Sequence, residues 1–529
     1  MNMYLNQDNV LFQFSRNSEY IDKSELITLT NRVIDTYDCC ICVTRPRRFG
    51  KSTAARMLNA YYSKGCDSRN LFSDLKIASS QDFETHLNQH DVIFLDMTAF
   101  ADRKGYGEMF LEKLNSKVVA ELIETYPDRF EKEKNYYLPE AIRILGKRII
   151  FIIDEWDFVF REYPNNKKLQ KNYISLLNAL FKGIGQRFVE FAYITGILPI
   201  ARYNTQTVFN NFSQYSILCS GPFSQYYGFT EDETKELCEK YHLDFEKTKQ
   251  WYGCYKVGDF KIYNPWSIIN MICHKSIASY WSNSASYSLA TTVINSNFEG
   301  LKEDIIKLSS GQTIHADDEC CFNTADSTFY SKEAVLIYLV YLGYIGYDSD
   351  NDRLFLPNEE TRGDLILAIR DNHWPLYENA LKLSNEVIFA ARTKDVNTLA
   401  NLLAKISENK DLVNEYWLGS ILQNVVLMAF IGTCLEYFAP KINFQIDDSH
   451  LDKGESNIVY LPQKGFSHRV PAFVIEVKKD ASAKEAIEQI KKPDYFSKVS
   501  EFADTTILLG INYDSKTKQF SCEVEEYQK

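Results

Sequence analysis

Apolar positions in the first 300 residues fall into two alternating rhythms. Short continuous apolar runs lie at residues 40–44, 92–95, 149–153 and 191–194, each the length of a strand rather than a helix. Between them, stretches such as 54–62 repeat their apolar residues with a helical period. The alternation predicts a parallel sheet with helices on both faces. Continuous runs, as opposed to every-other-residue patterns, are what strands covered on both faces require.

Beyond residue 230 the pattern turns helical. Thr230 followed three residues later by Glu233 is a capping-box signature that marks a helix start. Residues 334–357 read as a helix leading into Tyr344-Ile345-Gly346-Tyr347, a turn at 348–352, and Leu354-Phe355-Leu356, a winged-helix-like order. Residues 361–410 are helical in pattern and carry no recognisable chemistry. The last stretch mixes both rhythms again, with helices at 415–437 and 483–491 and strands at 458–461, 472–477 and 505–509. The expected fold class is therefore α/β: a parallel sheet with helices on both faces, a helical or winged-helix-like middle and a second α/β domain. Expected boundaries are 1–229 for the core, 230–300 for a helical lid, 301–410 for the middle and 411–529 for the last domain.

Composition narrows the function classes. With 45% hydrophobic and 25% charged residues among 529, the chain is globular, not disordered. The longest apolar stretch, 425–435, is broken by Gly432 and Thr433 and is too short for a membrane span. No secretory signal is recognisable and the twelve cysteines form no regular framework, so reduced, buried thiols and a cytoplasmic location are expected, with no membrane partner. A net charge of -12 argues against general nucleic-acid coating.

The chemistry is concentrated after the first apolar run. Arg45-Pro46-Arg47-Arg48-Phe49-Gly50-Lys51-Ser52-Thr53 follows a strand and opens a helix. A P-loop needs that context: backbone N–H groups for phosphates, a Lys for the β/γ-phosphates and a hydroxyl for magnesium. Gly-Lys-Ser/Thr alone arises roughly 0.3 times by chance in a chain this long. What raises it is Ile149-Ile150-Phe151-Ile152-Ile153-Asp154-Glu155, an apolar strand ending in two acids. Asp154 suits the magnesium side and Glu155 the water-orienting base. Thr195 stands where a hydroxyl either senses the γ-phosphate or caps a turn, and Asp96 ends its strand in a similar place and reads as structural. Arg45, Arg47 and Arg48 suit phosphate binding or pairing with acids alike. The candidate nucleotide-binding set is thus Arg45, Pro46, Arg47, Arg48, Phe49, Gly50, Lys51, Ser52, Thr53, Asp154 and Thr195.

Seven separated words occur in order: Tyr20-Ile21-Asp22-Lys23-Ser24, the loop from Arg45 to Ser52, Ile153-Asp154-Glu155-Trp156-Asp157, Thr195-Gly196, Tyr227-Gly228-Phe229-Thr230, Trp251-Tyr252-Gly253 and Tyr263-Asn264-Pro265-Trp266-Ser267. Together, over roughly residues 12 to 290, they resemble the AAA-ATPase-like family. In that family the loop usually starts with Arg in place of the first Gly, as Arg45 does here. The resemblance implies a P-loop ATPase domain that takes ATP with Mg²⁺.

Near the C-terminus, Glu476 and Lys478 share one face of a strand by its two-residue period. A carboxylate beside an ammonium suits metal-assisted phosphodiester hydrolysis. Residues 464 to 498 hold eight Lys/Arg against five Asp/Glu, which permits nucleic-acid contact. The order of Gly454-Glu455-Ser456-Asn457, Glu476-Val477-Lys478, Gln489 and Tyr495 resembles the PD-(D/E)XK nuclease-like domain that commonly follows this ATPase domain. That resemblance implies a restriction-endonuclease-like fold over roughly residues 410 to 515, with Glu476 and Lys478 catalytic, Gln489 supporting and Glu415 as a further acid. Asn457 stands where the pattern has its first metal-binding Asp, and an amide ligates magnesium weakly. Glu455, two residues earlier, is the substitute ligand. The metal candidates are then Ser52 and Asp154 at the loop, and Glu476, Glu455 and Asn457 at the second site.

Three readings follow: an ATP-binding, ATP-hydrolysing regulator coupled to an impaired nuclease-like domain, an ATP-gated magnesium-dependent nuclease using Glu455, and a nucleotide-locked interaction scaffold. A protein partner or a second copy of the chain is compatible with each.

Overall fold

The four apolar runs form strands of one parallel sheet: β1 (Cys40–Thr44), β2 (Val92–Asp96), β3 (Ile149–Asp154) and β4 (Val189–Gly196), joined at one edge by β5 (Ser213–Tyr215). The order is β2-β3-β4-β1-β5, with every neighbouring pair parallel. The continuous apolar pattern has its cause in two separate cores. Cys42, Leu95, Phe151 and Ile194 pack on one face, while Val43, Phe94, Ile152 and Tyr193 pack on the other. Parallel strands end on the same side, so the segments after β1, β3 and β4 converge at one edge, where open α/β sheets bind ligands.

The computed structural model describes the chain apart from residues 1, 17–18, 103–106, 132–133, 201, 204–205, 208–210, 254, 282–284, 297, 317–330, 373, 410–420, 439, 443–455, 464–465, 492–498, 500–501 and 529. The chain forms two compact units. The first comprises Met1–Lys249, Gly253–Ile277 and Glu319–Gly343, and the second Gln250–Tyr252, Ala278–Asp318 and Tyr344–Lys529.

In the first unit, α1 (Lys51–Tyr62) leaves the edge of β1 and α2 (Phe158–Glu162) follows β3. A small antiparallel sheet, β6 (Phe229–Thr230), β7 (Tyr255–Val257) and β8 (Phe260–Tyr263), has the order β6-β8-β7. The helix α3 (Glu231–Tyr241) starts at Thr230 with the reciprocal capping box that the sequence signals. Asn264 caps α4 (Pro265–His274), with Pro265 in the first turn, where its missing N–H costs nothing. The helix α5 (Lys332–Leu342) also belongs to this unit. Every residue from Val335 to Leu342 is buried, which is why its sequence is apolar all round rather than on one face.

The second unit carries a hairpin of β10 (Gly346–Asp348) and β11 (Arg353–Phe355), flanked by β9 (Ile314–His315) in the order β9-β11-β10. Three helices, Glu359–Asp371, Pro375–Thr393 and Val396–Ser407, follow as the pattern predicts. The C-terminal sheet runs in chain order through β12 (Lys441–Ile442), β13 (Ser456–Tyr460), β14 (Ala472–Lys479), β15 (Thr505–Asp514) and β16 (Gln519–Gln528). Its pairings are antiparallel except β14 with β15, and α7 (Ala483–Ile490) makes that crossover, after α6 (Ile421–Ala429) earlier in the unit. A C-terminal mixed-sheet domain is therefore present. Among the described residues, no helix is long and apolar enough to cross a membrane.

Candidate functional site

The loop after β1 is shaped by two left-handed residues, Arg48 at φ 67° and Gly50 at φ 85°. Gly50 is the N-cap of α1, so the first amides of that helix open into the loop as an anion site. The loop is braced from behind. The Arg45 guanidinium donates to the carbonyls of Thr44 at 2.8 Å and Tyr215 at 3.1 Å and lies 5.3 Å from the Tyr227 ring centroid. Phe49 is fully buried; its ring meets Tyr255 edge-on at 5.1 Å, and its carbonyl accepts from the Gly228 N–H at 2.9 Å. Gly228 has φ 87°, and a Cβ there would stand 2.3 Å from Ile262 Cγ2, so only glycine lets the two segments meet.

In front of the loop lies a cleft of about 640 Å³ lined by Arg47, Arg48, Gly50, Lys51, Ser52, Thr53, Glu155, Arg161 and Trp266. That volume is within the range of small-molecule sites. Arg48 stacks over Trp266, 4.4 Å from its centroid. Lys51 is buried and its ammonium donates to the Pro46 carbonyl at 2.9 Å. Burial lowers its pKa, and the charges of Glu155 and Asp154 work against that shift.

The two acids of β3 behave differently. Burial pushes Asp154 up to about 7, with the neighbouring Glu155 charge adding to it and a hydrogen bond with Ser52 opposing it. Glu155 sits at φ 54° and pairs with Arg161. Burial works to raise its pKa, but Arg161, then Lys51 and Arg47, hold it below the usual carboxylate range. The Ser52 hydroxyl and Asp154 carboxylate together form an oxygen-only pair beside the phosphate loop, which suits a hard divalent cation that keeps water and takes its remaining ligands from phosphate.

Residues to which sequence reasoning gave no role complete the site. Arg161 Nε donates to Asp157 Oδ2 at 2.9 Å. That same oxygen accepts the N–H groups of Ile197 at 3.2 Å and Leu198 at 2.9 Å, and the Trp156 ring N–H donates to the Leu198 carbonyl at 2.9 Å. A Cβ on Gly196 would stand 2.4 Å from Asp157 Oδ1. The words Asp154-Glu155-Trp156-Asp157 and Thr195-Gly196 are therefore one interlocked piece, and their occurrence in order among the seven words was the only signal for it.

Two expected binding residues turn out to be supports. Arg45 is spent on backbone carbonyls because it is buried behind the loop, not in the cleft. Thr195 donates its hydroxyl to the Val43 carbonyl at 2.7 Å, tying β4 to β1. Asp96 caps the following turn through the Thr98 N–H at 2.9 Å, as the sequence suggests.

Beside the cleft is a smaller hollow of about 180 Å³, lined by Tyr20, Ile21, Met57, Tyr226, Phe229 and Ile269 and reaching Gly50 and Thr53. Its wall is fastened by Lys23, whose ammonium reaches Glu233 at 2.6 Å and the Gln225 carbonyl at 2.7 Å. Burial lowers the Lys23 pKa, with Glu233 opposing.

Residues 13–205 match the family described as Predicted AAA-ATPase, AAA-ATPase_like. This AAA-ATPase-like domain contains the loop, both acids of β3, Thr195 and strands β1 to β4, and the parallel sheet with helices to which they belong resembles a P-loop AAA+ fold. The match supports ATP-binding, P-loop character. Among solved structures, Cdc6p from Pyrobaculum aerophilum aligns over 70% of this chain and 100% of its own at 9% identity and a TM-score of 0.24. The ORC2 protein of Aeropyrum pernix, in ADPNP and ADP complexes, aligns over 70% and 99% at 10% identity and a TM-score of 0.31. Likenesses this loose place no residue. No curated protein matches the chain.

In the C-terminal sheet, Asn457 of β13 stands directly across from Glu476 of β14. Directly opposed side chains share a face, and both residues are buried. Lys478, two residues on, and Gln489 of α7 are half-buried. Glu455, Glu415 and Tyr495 lie outside the described residues. Among the described residues, the oxygen donors at this pair are one carboxylate and one amide, and no group of three or more His, Cys, Asp or Glu is placed to hold a metal.

Proposed function

We propose that the chain is an ATP-binding, ATP-hydrolysing regulator whose AAA-ATPase-like domain acts on a nuclease-like C-terminal domain impaired at its metal site. The observation that carries the first half is the convergence of Gly50, Lys51, Ser52, Glu155 and Arg161 on one cleft, with Ser52 bonded to Asp154. The helix N-terminus and Lys51 would take the phosphates, Lys51 exchanging the Pro46 carbonyl for them. Ser52 and Asp154 would hold Mg²⁺, which supplies charge to a leaving phosphate. Glu155 would orient the attacking water and accept its proton. The hollow beside Tyr20 and Met57 has the apolar walls that a base requires.

The nuclease-like half is supported by the crossover at α7 and by the strand pairing that sets Asn457 against Glu476. Glu476 and Lys478 remain as the acid and the lysine of that reading, and the amide in place of a second carboxylate is the reason for the proposed impairment.

Calorimetry with ATP and Mg²⁺ tests the first half: wild type binds and releases phosphate, and Lys51→Ala loses at least tenfold in affinity, about 1.4 kcal/mol. Absence of binding by wild type would end this reading. For the second half, plasmid and single-stranded DNA are incubated with Mn²⁺ or Mg²⁺. Cleavage lost in Glu476→Ala would replace the impaired domain with an active nuclease using Glu455.

A further inference from the structure

Position 48 of the loop combines a backbone that favours glycine with a long charged side chain. At φ 67° it lies in the left-handed region, which disfavours any residue with a Cβ, so the loop keeps a guanidinium there at the expense of an easier turn. That guanidinium lies over the Trp266 ring, 4.4 Å from its centroid. Trp266 is 46% exposed, so the ring is not there to fill the core, and both residues line the cleft that holds Gly50, Lys51 and Ser52.

Trp266 stands in the first turn of α4, where its N–H donates to the Asn264 side chain at 2.9 Å. Pro265 and Ile269 of the same helix line both the cleft and the smaller hollow, so α4 is a wall common to the two cavities. It is joined to the loop twice. Behind, the Gly228 N–H donates to the Phe49 carbonyl at 2.9 Å, and Ile262 of β8, the strand leading into α4, fills the space that a Cβ on Gly228 would need. Phe49 and Ile262 are both fully buried, so this rear contact is permanent. In front, the contact is the stack of Arg48 on Trp266, and it faces the cleft. A guanidinium forms charge-assisted, two-pronged hydrogen bonds with phosphate, which outcompete its attraction to a ring that is half in water.

We propose that Arg48 and Trp266 form a clasp between the phosphate loop and α4 that bound nucleotide opens: a phosphate group draws Arg48 off the indole, and α4 is then held to the loop by the rear contact alone. The inference rests on the ATP-binding reading above and adds a regulation of that site, because the state of the cleft is passed to the helix that also walls the hollow. The clasp has a signature in sign. Indole and phosphate compete for one guanidinium, so losing the indole strengthens nucleotide binding while losing the guanidinium weakens it. A Trp266 that served instead as a platform for the base would weaken binding when removed.

The test uses the full chain. Calorimetry gives the ATP·Mg²⁺ dissociation constant of wild type, Trp266→Leu, Arg48→Gln and the double variant, and the emission of Trp266 is the difference between wild type and Trp266→Phe. Trp266→Leu keeps an apolar side chain without a π face and binds ATP about threefold more tightly, the worth of a solvent-exposed cation–π contact. Arg48→Gln binds about tenfold more weakly, and adding Trp266→Leu to it changes nothing further. Tripolyphosphate, which carries phosphates without a base, shifts Trp266 emission in the same direction as ATP, and Arg48→Gln loses that shift. Unchanged or weaker binding by Trp266→Leu, the same gain from Trp266→Leu with and without Arg48, wild-type affinity in Arg48→Gln, or no emission shift with tripolyphosphate overturns the clasp and leaves the ATP-binding reading intact. Should Trp266→Leu fail to fold, the Arg48→Gln affinity and the tripolyphosphate shift decide. A wild type that does not bind ATP ends both.

Discussion

On the proposed reading, Asp154 would couple pH to metal and nucleotide binding. Its folded pKa of about 7 lies above the ordinary carboxylate value, so the folded protein holds a proton there that the unfolded chain releases. The stability this contributes is fully present below the unfolded value and is lost as pH rises through about 7. Binding Mg²⁺ requires the carboxylate, so the same proton must leave. From about pH 6 to about pH 8 the nucleotide-free protein should lose thermal stability at this group while Mg²⁺-dependent ATP affinity increases. Calorimetry at both pH values checks this, and Asp154→Asn should abolish the pH dependence of both; an equally steep dependence in that variant would rule Asp154 out. At this scale the chain was half legible. Lys51, Ser52, Asp154 and Glu155 declare themselves by residue type and order. Arg45 did not, because a guanidinium suits a phosphate or a set of carbonyls equally well, and burial alone decides between them. Thr195 was open for the same reason.

Elements were readable where burial on both faces wrote a continuous apolar run, as in β1 to β4. They were not where a strand lies half in solvent: β5 is Ser-Gln-Tyr, and β16 is the edge of its sheet with a mixed, glutamate-rich sequence. Neither segment carries a period that distinguishes it from a loop. The junction of β3 and β4 makes a prediction about their interlock. Gly196→Ala would drive a methyl into Asp157 and Trp156, 2.4 Å and 2.8 Å away, and an overpacked site with little room to shift costs roughly 1–3 kcal/mol. Thr230→Ala removes one half of the capping box on α3 and should cost about 1 kcal/mol. Chemical denaturation measures both, and Gly196→Ala should in addition slow ATP turnover, since Asp157 seats Arg161. A fully active Gly196→Ala would separate the interlock from the chemistry.

Across the whole molecule, the order of elements along the chain is a poor guide to which of them pack together. A helix followed by a hairpin at 334–357 suggests one small unit by itself, yet α5 counts with the first compact unit and β10 and β11 with the second. Sequence proximity could not reveal this, because an all-round apolar helix states only that it is buried, never against what. The consequence can be measured on fragments. Residues 1–277 contain the loop, the acids and the hollow but lack α5, so they should expose the apolar surface that Val335 to Leu342 cover and be prone to aggregate. Joining residues 319–343 to that fragment through a flexible linker should restore a cooperative unfolding transition and ATP binding, because it returns both the cover and the Tyr255–Gly343 bond. Tyr255→Phe in the joined fragment would then remove that bond alone, with a loss of about 1 kcal/mol. If residues 1–277 unfold as cooperatively, and bind ATP as tightly, as the joined fragment, then α5 is a passenger on the ATPase unit and not a part of it.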